Sequence, residues 1–283
     1  MYISKEIKSI IKSYVNGFDI IYWINLDRAA DRRKEMLHML SYLPKPNIRI
    51  TAIDGTNDPD GMFDRIYSDN LDNCSHSEIA CCLSHLNAIK MLVDSDYEIA
   101  LIMEDDIYSL DFVKYWDKDI KTIIANAPSD WEILMLTCII GENTLDDIYK
   151  HNDGNIWGAG AYLIKKSGAK RLIDSIYINK MYEIVGGEQP IADVYIFKYL
   201  KTYNYKFAYF IYPSVNNSQI HEEHLDMHYK SKEILNDIWE NYYKLSEMEG
   251  FNNTTSLIKK TTSTLFILLV VYVLFILINE KKM

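Results

Sequence analysis

Three consecutive acids, Glu104, Asp105 and Asp106, follow an apolar run that begins near Tyr97. A continuous apolar, β-branched run of this length is typical of a buried parallel strand. Open α/β sheets bind ligands just beyond the carboxyl ends of such strands, where neighbouring carboxylates repel one another unless a cation lies between them. Carboxylate oxygens suit Mg²⁺ or Mn²⁺. The pattern predicts a divalent metal carrying a diphosphate, held by Asp105 and Asp106, with Glu104 supporting the sheet. The alternative is a solvated turn.

Other polar residues follow the neighbouring predicted strands. Arg28, Arg32 and Arg33 come after the first strand, and guanidinium groups can donate paired hydrogen bonds to phosphates. The alternative for them is an exposed helix face. Asp54 closes the second strand and could accept from a ribose hydroxyl or a uracil N–H, or form an Asp-Gly turn. His85 could contact a diphosphate or be a satisfied interior histidine.

Strands alternate with helices along the first two thirds of the chain. Besides the strand that ends in the acids, apolar runs predict strands at 18–26, 48–53, 131–138, 161–165 and 206–211. Helical spacing predicts helices at 31–43 (capped by Asp31), 77–93, 167–176 and 226–250, with a polar loop at 56–73. This alternation predicts an α/β fold with a Rossmann-like, mostly parallel sheet and helices on both faces.

The composition excludes some classes of protein. With 283 residues and 48% hydrophobic content, the chain can bury a substantial core. Its formal net charge of −10, with no cluster of Lys or Arg to offset it, argues against a nucleic-acid partner. Cysteines at 74, 81, 82 and 138 have neither CxxC nor zinc-finger spacing, and we interpret them as reduced core thiols.

The C-terminal segment has the composition of a membrane anchor. Residues 261–279 carry no charge, and lysine pairs flank them on both sides. As a helix, this segment spans roughly 27 Å, enough to cross the hydrocarbon core of a bilayer. The alternative is a buried C-terminal helix. The sequence therefore predicts a single C-terminal transmembrane helix at 261–279, preceded by a polar stalk at 251–260 and a globular domain at 1–250.

Several motifs resemble those of glycosyltransferase family 25, which includes lipopolysaccharide sugar transferases and procollagen galactosyltransferases. In chain order, they are Ile24-Asn25-Leu26-Asp27-Arg28 with Asp31-Arg32-Arg33, Ala52-Ile53-Asp54-Gly55, Ser77 to Leu86, Leu101 to Asp106, Gly160 to Ile164, and Pro190-Ile191-Ala192-Asp193. The likeness covers roughly residues 19–215. Two features depart from the family pattern: Ser77 stands where Gly is more common, and one residue is inserted before Asp193.

The resemblance implies a GT-A-type fold, a nucleotide-sugar donor and Mn²⁺ (or Mg²⁺). It places Asn25, Arg28, Arg32, Asp54 and His85 at the donor. The implied reaction transfers galactose or glucose from a UDP-sugar to a glycan or hydroxylated protein acceptor, with inversion. A catalytically inactive, membrane-anchored homologue with a binding or structural role is the alternative.

An inverting transfer requires a base that takes the proton of the acceptor hydroxyl. Downstream of the metal motif, Asp193 and Glu188 are the available acids, and Asp193 is favoured over a role as a helix cap. Three further histidines, His221, His224 and His228, could bring one imidazole to the metal or form a surface helix face.

The position of the anchor gives an expectation about topology. The first 18 residues have no continuous apolar segment of the kind found in signal peptides. A span that leaves the ribosome last inserts after synthesis, so we expect a tail-anchored protein whose catalytic domain faces the cytosol. The sequons at Asn216 and Asn252 should then stay unglycosylated.

Overall fold

The computed structural model describes residues 11–57, 59–107, 116, 118–137, 148–150, 158–207 and 209–210. All of them lie in the first of two compact units, Met1–Asn236; the second unit, Asp237–Met283, lies outside the described residues. The helices are α1 (Ala30–Leu40), α2 (Pro59–Phe63), α3 (His76–Val93), α4 (Ile120–Asn126), α5 (Lys166–Ile176) and α6 (Ala192–Tyr199). The strands are β1 (Ile20–Asn25), β2 (Asn47–Thr51), β3 (Ile66–Ser68), β4 (Ile99–Glu104), β5 (Ile133–Met135), β6 (Ile148–Lys150), β7 (Ala161–Lys165), β8 (Tyr177–Ile178), β9 (Met181–Ile184) and β10 (Thr202–Tyr205).

The main sheet has the strand order β2-β1-β4-β7-β5-β10-β6. Strands β2, β1, β4, β5 and β10 run in one direction, whereas β7 and β6 run in the other. The predicted α/β fold with a mostly parallel sheet is therefore confirmed. Strand β7 has the predicted residues, but it lies antiparallel between β4 and β5.

Helices cover both faces of this sheet because neighbouring residues of a strand point to opposite sides. In β1, Ile20, Tyr22 and Ile24 pack in one core cluster with residues of α3, α5 and α6. Ile21 and Trp23 pack in a second cluster with residues of α1 and α4. Strand β4 alternates in the same way, so its last residue, Glu104, lies on the same side as Ala100 and Ile102.

Helix α3 starts at a capping box. The Ser75 hydroxyl accepts from the backbone N–H of Glu78, and the Glu78 carboxylate accepts from the Ser75 N–H. The start of this helix lies against Gly55, where an added Cβ would stand 2.2 Å from the carbonyl oxygen of His76. Only glycine permits this approach, so the Asp54-Gly55 turn is fixed against α3.

Helix α1 begins differently from the prediction. Its N-cap is Ala29, with no side-chain cap, and Asp31 lies in the first turn. There its charge suits the helix dipole without capping a backbone N–H.

Two further predictions about elements were wrong. The segment 56–73 contains α2 and β3, and β3 forms a second sheet of order β3-β9-β8. The last described strand is β10 rather than 206–211. Strands of two to four residues are too short for their alternation to be read from sequence.

The predicted helix at 226–250, the stalk at 251–260, the anchor at 261–279 and the histidines at 221, 224 and 228 lie outside the described residues. Among the residues that the structure does describe, no helix is both long and apolar enough to cross a membrane.

Candidate functional site

The carboxyl ends of β2, β1 and β4 meet at one edge of the sheet. In register, Thr51 lies opposite Asn25 on one side of β1, and Ile24 lies opposite Glu104 on the other. Because β7 is antiparallel, its beginning lies at the same edge, and the Gly160 carbonyl accepts from the Glu104 N–H at 2.8 Å. This topology brings residues that are far apart in the sequence to one place.

Asn25 joins the elements at this edge. Its side chain is buried, with 1% exposed, and its amide donates to Asp105 Oδ2 at 2.5 Å and to the Ala29 carbonyl at 3.2 Å. Its Oδ1 accepts from Arg33 Nε at 3.0 Å and from Arg49 Nε at 2.9 Å. These four bonds use the full capacity of the amide. Asn25 therefore positions its neighbours, and its predicted contact with the nucleotide-sugar donor stays a prediction.

Arg32 lies between the two aspartates that follow β4. Its Nη1 is 3.1 Å from Asp105 Oδ1, and its Nη2 is 2.6 Å from Asp106 Oδ2. The guanidinium group thus supplies the positive charge that neighbouring carboxylates require. The predicted phosphate ligand Arg32 serves, in this arrangement, as the counter-ion of the acid pair.

The two aspartates differ in the partners of their carboxylate oxygens. Both oxygens of Asp105 are occupied, one by Arg32 and the other by Asn25. Asp106 Oδ1 is buried and has no hydrogen-bond partner among the described residues. Burial and the charge of Glu104 raise the pKa of Asp106, although Arg32 opposes this. A buried carboxylate oxygen without a partner, beside two further acids, fits a hard divalent cation.

Two of the residues predicted to bind the nucleotide-sugar donor pair with each other. Arg28 Nε donates to Asp54 Oδ2 at 2.7 Å, and Asp54 also accepts from the backbone N–H groups of Thr56 and Asn57. Burial alone would raise the pKa of Asp54. Hydrogen bonds from Asn57, Arg28 and Thr56 outweigh this effect and lower that pKa. Asp54 therefore forms the predicted turn. The Arg28 side chain is 41% exposed, which leaves it accessible to a ligand.

His85 is an interior histidine. It is 0% exposed, its Nδ1 lies 3.0 Å from the Tyr162 hydroxyl, and its Nε2 lies 3.2 Å from Glu104 Oε1. Cys81 Sγ lies 3.8 Å from the same carboxylate oxygen. Both ring nitrogens of the buried His85 have protein partners, and its predicted contact with a diphosphate stays a prediction. Together, Cys81, His85 and Glu104 could hold a metal ion.

Asp193 lies in the first turn of α6 and reaches across to β7. Its Oδ2 accepts from the Gly158 N–H at 3.0 Å, and no side chain caps α6. Burial raises the pKa of Asp193, and the nearby Glu104 charge adds to the effect, although the Gly158 hydrogen bond opposes it. A carboxylate with a raised pKa at this edge is a stronger base than an ordinary aspartate.

Glu188 has a different environment. Both of its oxygens lie 3.1 Å from Lys198 Nζ, and its side chain is 37% exposed. The two glycines before Glu188 are held by Asp69, whose carboxylate accepts from the N–H groups of Gly186 and Gly187. Of the two acids predicted as the base, Asp193 has the surroundings that suit the role.

Sequence reasoning missed three contributors to the site. Arg49 donates to the side chain and the carbonyl of Asn25, and Tyr162 contacts His85. Arg49 has no local signal, because strand register brings it to the site. Tyr162 lies in the Gly160 to Ile164 motif, but nothing in that motif indicates a contact with His85. The third is Cys81, whose spacing from His85, one helical turn, was available in the sequence.

Comparison with known proteins gives a consistent result. The profile of a family described as "Glycosyltransferase family 25 (LPS biosynthesis protein)" matches residues 18–184, more than half of the chain. Procollagen galactosyltransferase 2 of Homo sapiens is 27% identical over 198 residues, which cover 62% of this chain and 31% of that protein. Procollagen galactosyltransferase 1 of Danio rerio is 27% identical over 184 residues, covering 59% and 30%. The chain thus spans about a third of the length of the curated relatives it matches.

A solved structure is also similar, with a lower sequence identity. It is described as a crystal structure of a glycosyltransferase involved in the glycosylation of the major capsid of PBCV-1. The sequence identity is 9%, the TM-score is 0.32, and the likeness covers 67% of this chain and 93% of that one.

The Asn25 network leads to a prediction about stability. Asn25→Ala removes four hydrogen bonds and leaves Asp105, Arg33 and Arg49 each short of a partner. We expect the free energy of unfolding to fall by about 2–4 kcal/mol, measured by urea denaturation. Asn16→Ala is the matched control, because the exposed Asn16 amide donates to the Ser13 carbonyl three residues away and makes no other hydrogen bond among the residues that the structure describes. This variant should cost less than about 0.5 kcal/mol. Equal losses in the two variants would contradict the network.

Proposed function

The chain belongs to glycosyltransferase family 25, and on this basis we propose that it transfers a hexose from a UDP-sugar to a glycan or hydroxylated protein acceptor. Galactose and glucose are the favoured sugars, and the relatives named procollagen galactosyltransferase support this substrate class. The observation that carries the proposal is the buried Asp106 oxygen, which has no hydrogen-bond partner within the described part of the chain, at the edge where β1, β2 and β4 end.

We place the divalent cation, Mn²⁺ or Mg²⁺, at Asp106, with Asp105 beside it. When bound, the cation supplies charge stabilisation to the departing diphosphate. Asp105 is held by Asn25 and Arg32, so it keeps the acidic turn in a fixed orientation. Arg32 balances the charge of both acids, and its Nε has no hydrogen-bond partner among the described residues.

The donor nucleotide would lie between the ends of β1 and β2. Arg28 is the more exposed arginine there and can donate to a phosphate, while the partly exposed Asp54 can accept from the ribose or base. The pair between them, at 2.7 Å, keeps both side chains in place before the donor binds.

In the reaction, an acceptor hydroxyl oxygen attacks the anomeric carbon, and the bond from that carbon to the diphosphate oxygen breaks. UDP leaves with the bonding electron pair, and the hydroxyl proton passes to the Asp193 carboxylate. A single displacement of this kind inverts the configuration at the anomeric carbon. The raised pKa of Asp193 favours proton uptake.

The two candidate bases can be separated by matched amide variants. Asp193→Asn keeps the shape of the side chain but cannot accept the proton, so turnover should fall about 10²–10⁴-fold with donor affinity retained. Glu188→Gln, which alters only the exposed pair with Lys198, should keep near-normal turnover. The measurement is the transfer rate from UDP-galactose and UDP-glucose. The reverse ranking would transfer the role of base to Glu188.

The cation proposal has its own test. Asp106→Asn should lower turnover by at least about 100-fold, a few kcal/mol of transition-state stabilisation, and EDTA should inhibit the wild type. Asp94→Asn is the control, because Asp94 pairs with Lys90 on the exposed side of α3. Full activity of the Asp106 variant, or of the wild type in excess EDTA, would refute the cation assignment. UDP binding without transfer would favour the inactive homologue.

We also propose that residues 1–250 form the catalytic domain, 251–260 a stalk and 261–279 a membrane anchor, with the catalytic domain in the cytosol. The uncharged run at 261–279 and the lysines around it support the anchor. The free thiols of Cys74, Cys81 and Cys82 support a reducing compartment.

This topology predicts the behaviour of the two sequons at Asn216 and Asn252. In a eukaryotic cell, the protein should sediment with membranes yet show no mobility shift after treatment with an N-glycan-removing enzyme. Protease added to intact microsomes should digest the domain as fully as it does after detergent treatment. Glycosylation at either sequon, or protection of the domain in intact microsomes, would place it in the lumen.

A further inference from the structure

A second group of metal-ligating side chains lies on the opposite side of β4 from Arg32. Cys81 and His85 are one turn apart on α3, and Glu104 ends β4. One ligand atom from each residue lies within 4.8 Å of the others. The Cys81 Sγ–Glu104 Oε1 distance is 3.8 Å, and the His85 Nε2–Glu104 Oε1 distance is 3.2 Å.

These separations resemble those around a tetrahedral zinc ion. Bonds of about 2.0–2.3 Å in tetrahedral geometry place neighbouring ligand atoms about 3.3–3.5 Å apart. The side chains therefore need only small shifts to share one ion. Three protein ligands leave a fourth position for water or a substrate oxygen.

The ligand types distinguish this group from the acidic turn. A thiolate, an imidazole and a carboxylate together suit zinc, whereas Mg²⁺ and Mn²⁺ prefer carboxylate, carbonyl and water oxygens. Asp106 offers only oxygen, so the two sites select different metals.

The surroundings of the group also favour a cation. The Tyr162 hydroxyl, 3.0 Å from His85 Nδ1, can accept from that nitrogen and orient Nε2 toward the ion. The Glu104 carboxylate, which lies beside both Cys81 and His85, supplies negative charge that attracts a metal ion.

We propose that Cys81, His85 and Glu104 bind Zn²⁺. The ion replaces the thiol proton of Cys81, which passes to solvent, while His85 binds through Nε2 as a neutral imidazole that keeps its proton on Nδ1. Bound there, zinc links α3 to the last residue of β4 and so fixes the start of the Asp105-Asp106 turn. The site is additional to the Mn²⁺ or Mg²⁺ of the proposed transfer reaction.

Cobalt substitution in the full-length protein tests this proposal. After metal removal, addition of Co²⁺ to the wild type should produce the near-ultraviolet charge-transfer absorption of a thiolate–cobalt bond. Cys81→Ala should lose this absorption. Cys82→Ala is the matched control, since the adjacent thiol is buried in the core; it should keep the absorption. Absence of the band in the wild type, its persistence in Cys81→Ala, or its loss in a folded Cys82→Ala would overturn the site.

Two further measurements do not depend on that variant. Glu104→Gln keeps the side-chain size and should weaken Co²⁺ binding at least about tenfold. Added Zn²⁺ should raise the melting temperature of the wild type, because an ion that binds only the folded state stabilises it. Unchanged affinity in Glu104→Gln, or no thermal response to Zn²⁺, would contradict the proposal. These readouts are independent of sugar transfer, so a failure here is distinct from a failure of the proposed function.

Discussion

The hydrogen bonds of the Asn25 amide hold together the segments that form the candidate site. One amide, 1% exposed, connects the end of β1 to the start of α1, to the acidic turn after β4 and to two arginines. The Asp105 side chain is only 8% exposed, so the loss of its bond to Asn25 would be costly, whereas Arg33 and Arg49 are partly exposed. The orientation of Asp105, and through it the availability of Asp106, depends on this contact.

The alternation of β4 and the turn that follows it together divide the three acids between two environments. Ala100 and Ile102 face α3, whereas Leu101 and Met103 face α1. Glu104 continues the first set and meets Cys81 and His85; the next two acids meet Arg32 of α1. Three consecutive carboxylates therefore need not share one cation. The account assigns a hard cation to one side of the strand end and zinc to the other.

Much of this arrangement could be predicted from the sequence. The apolar run before Glu104 and the spacing of α3 are strong local signals, and the family resemblance is confirmed by the match over residues 18–184. The role of Arg32 as counter-ion, the burial of His85 and the contribution of Arg49 depend on strand register and helix placement. The antiparallel course of β7, which brings Gly158 to Asp193, has no signature in composition or periodicity.

The central claim is that the acidic turn binds a nucleotide diphosphate through a divalent cation. Calorimetric titration of the full-length protein with UDP, in the presence and absence of Mn²⁺, tests it most directly. We expect Mn²⁺ to strengthen UDP binding at least about tenfold, since Asp106 would hold the cation and the cation would supply positive charge to the diphosphate. Equal UDP affinity with and without Mn²⁺, or no binding in either case, would contradict it.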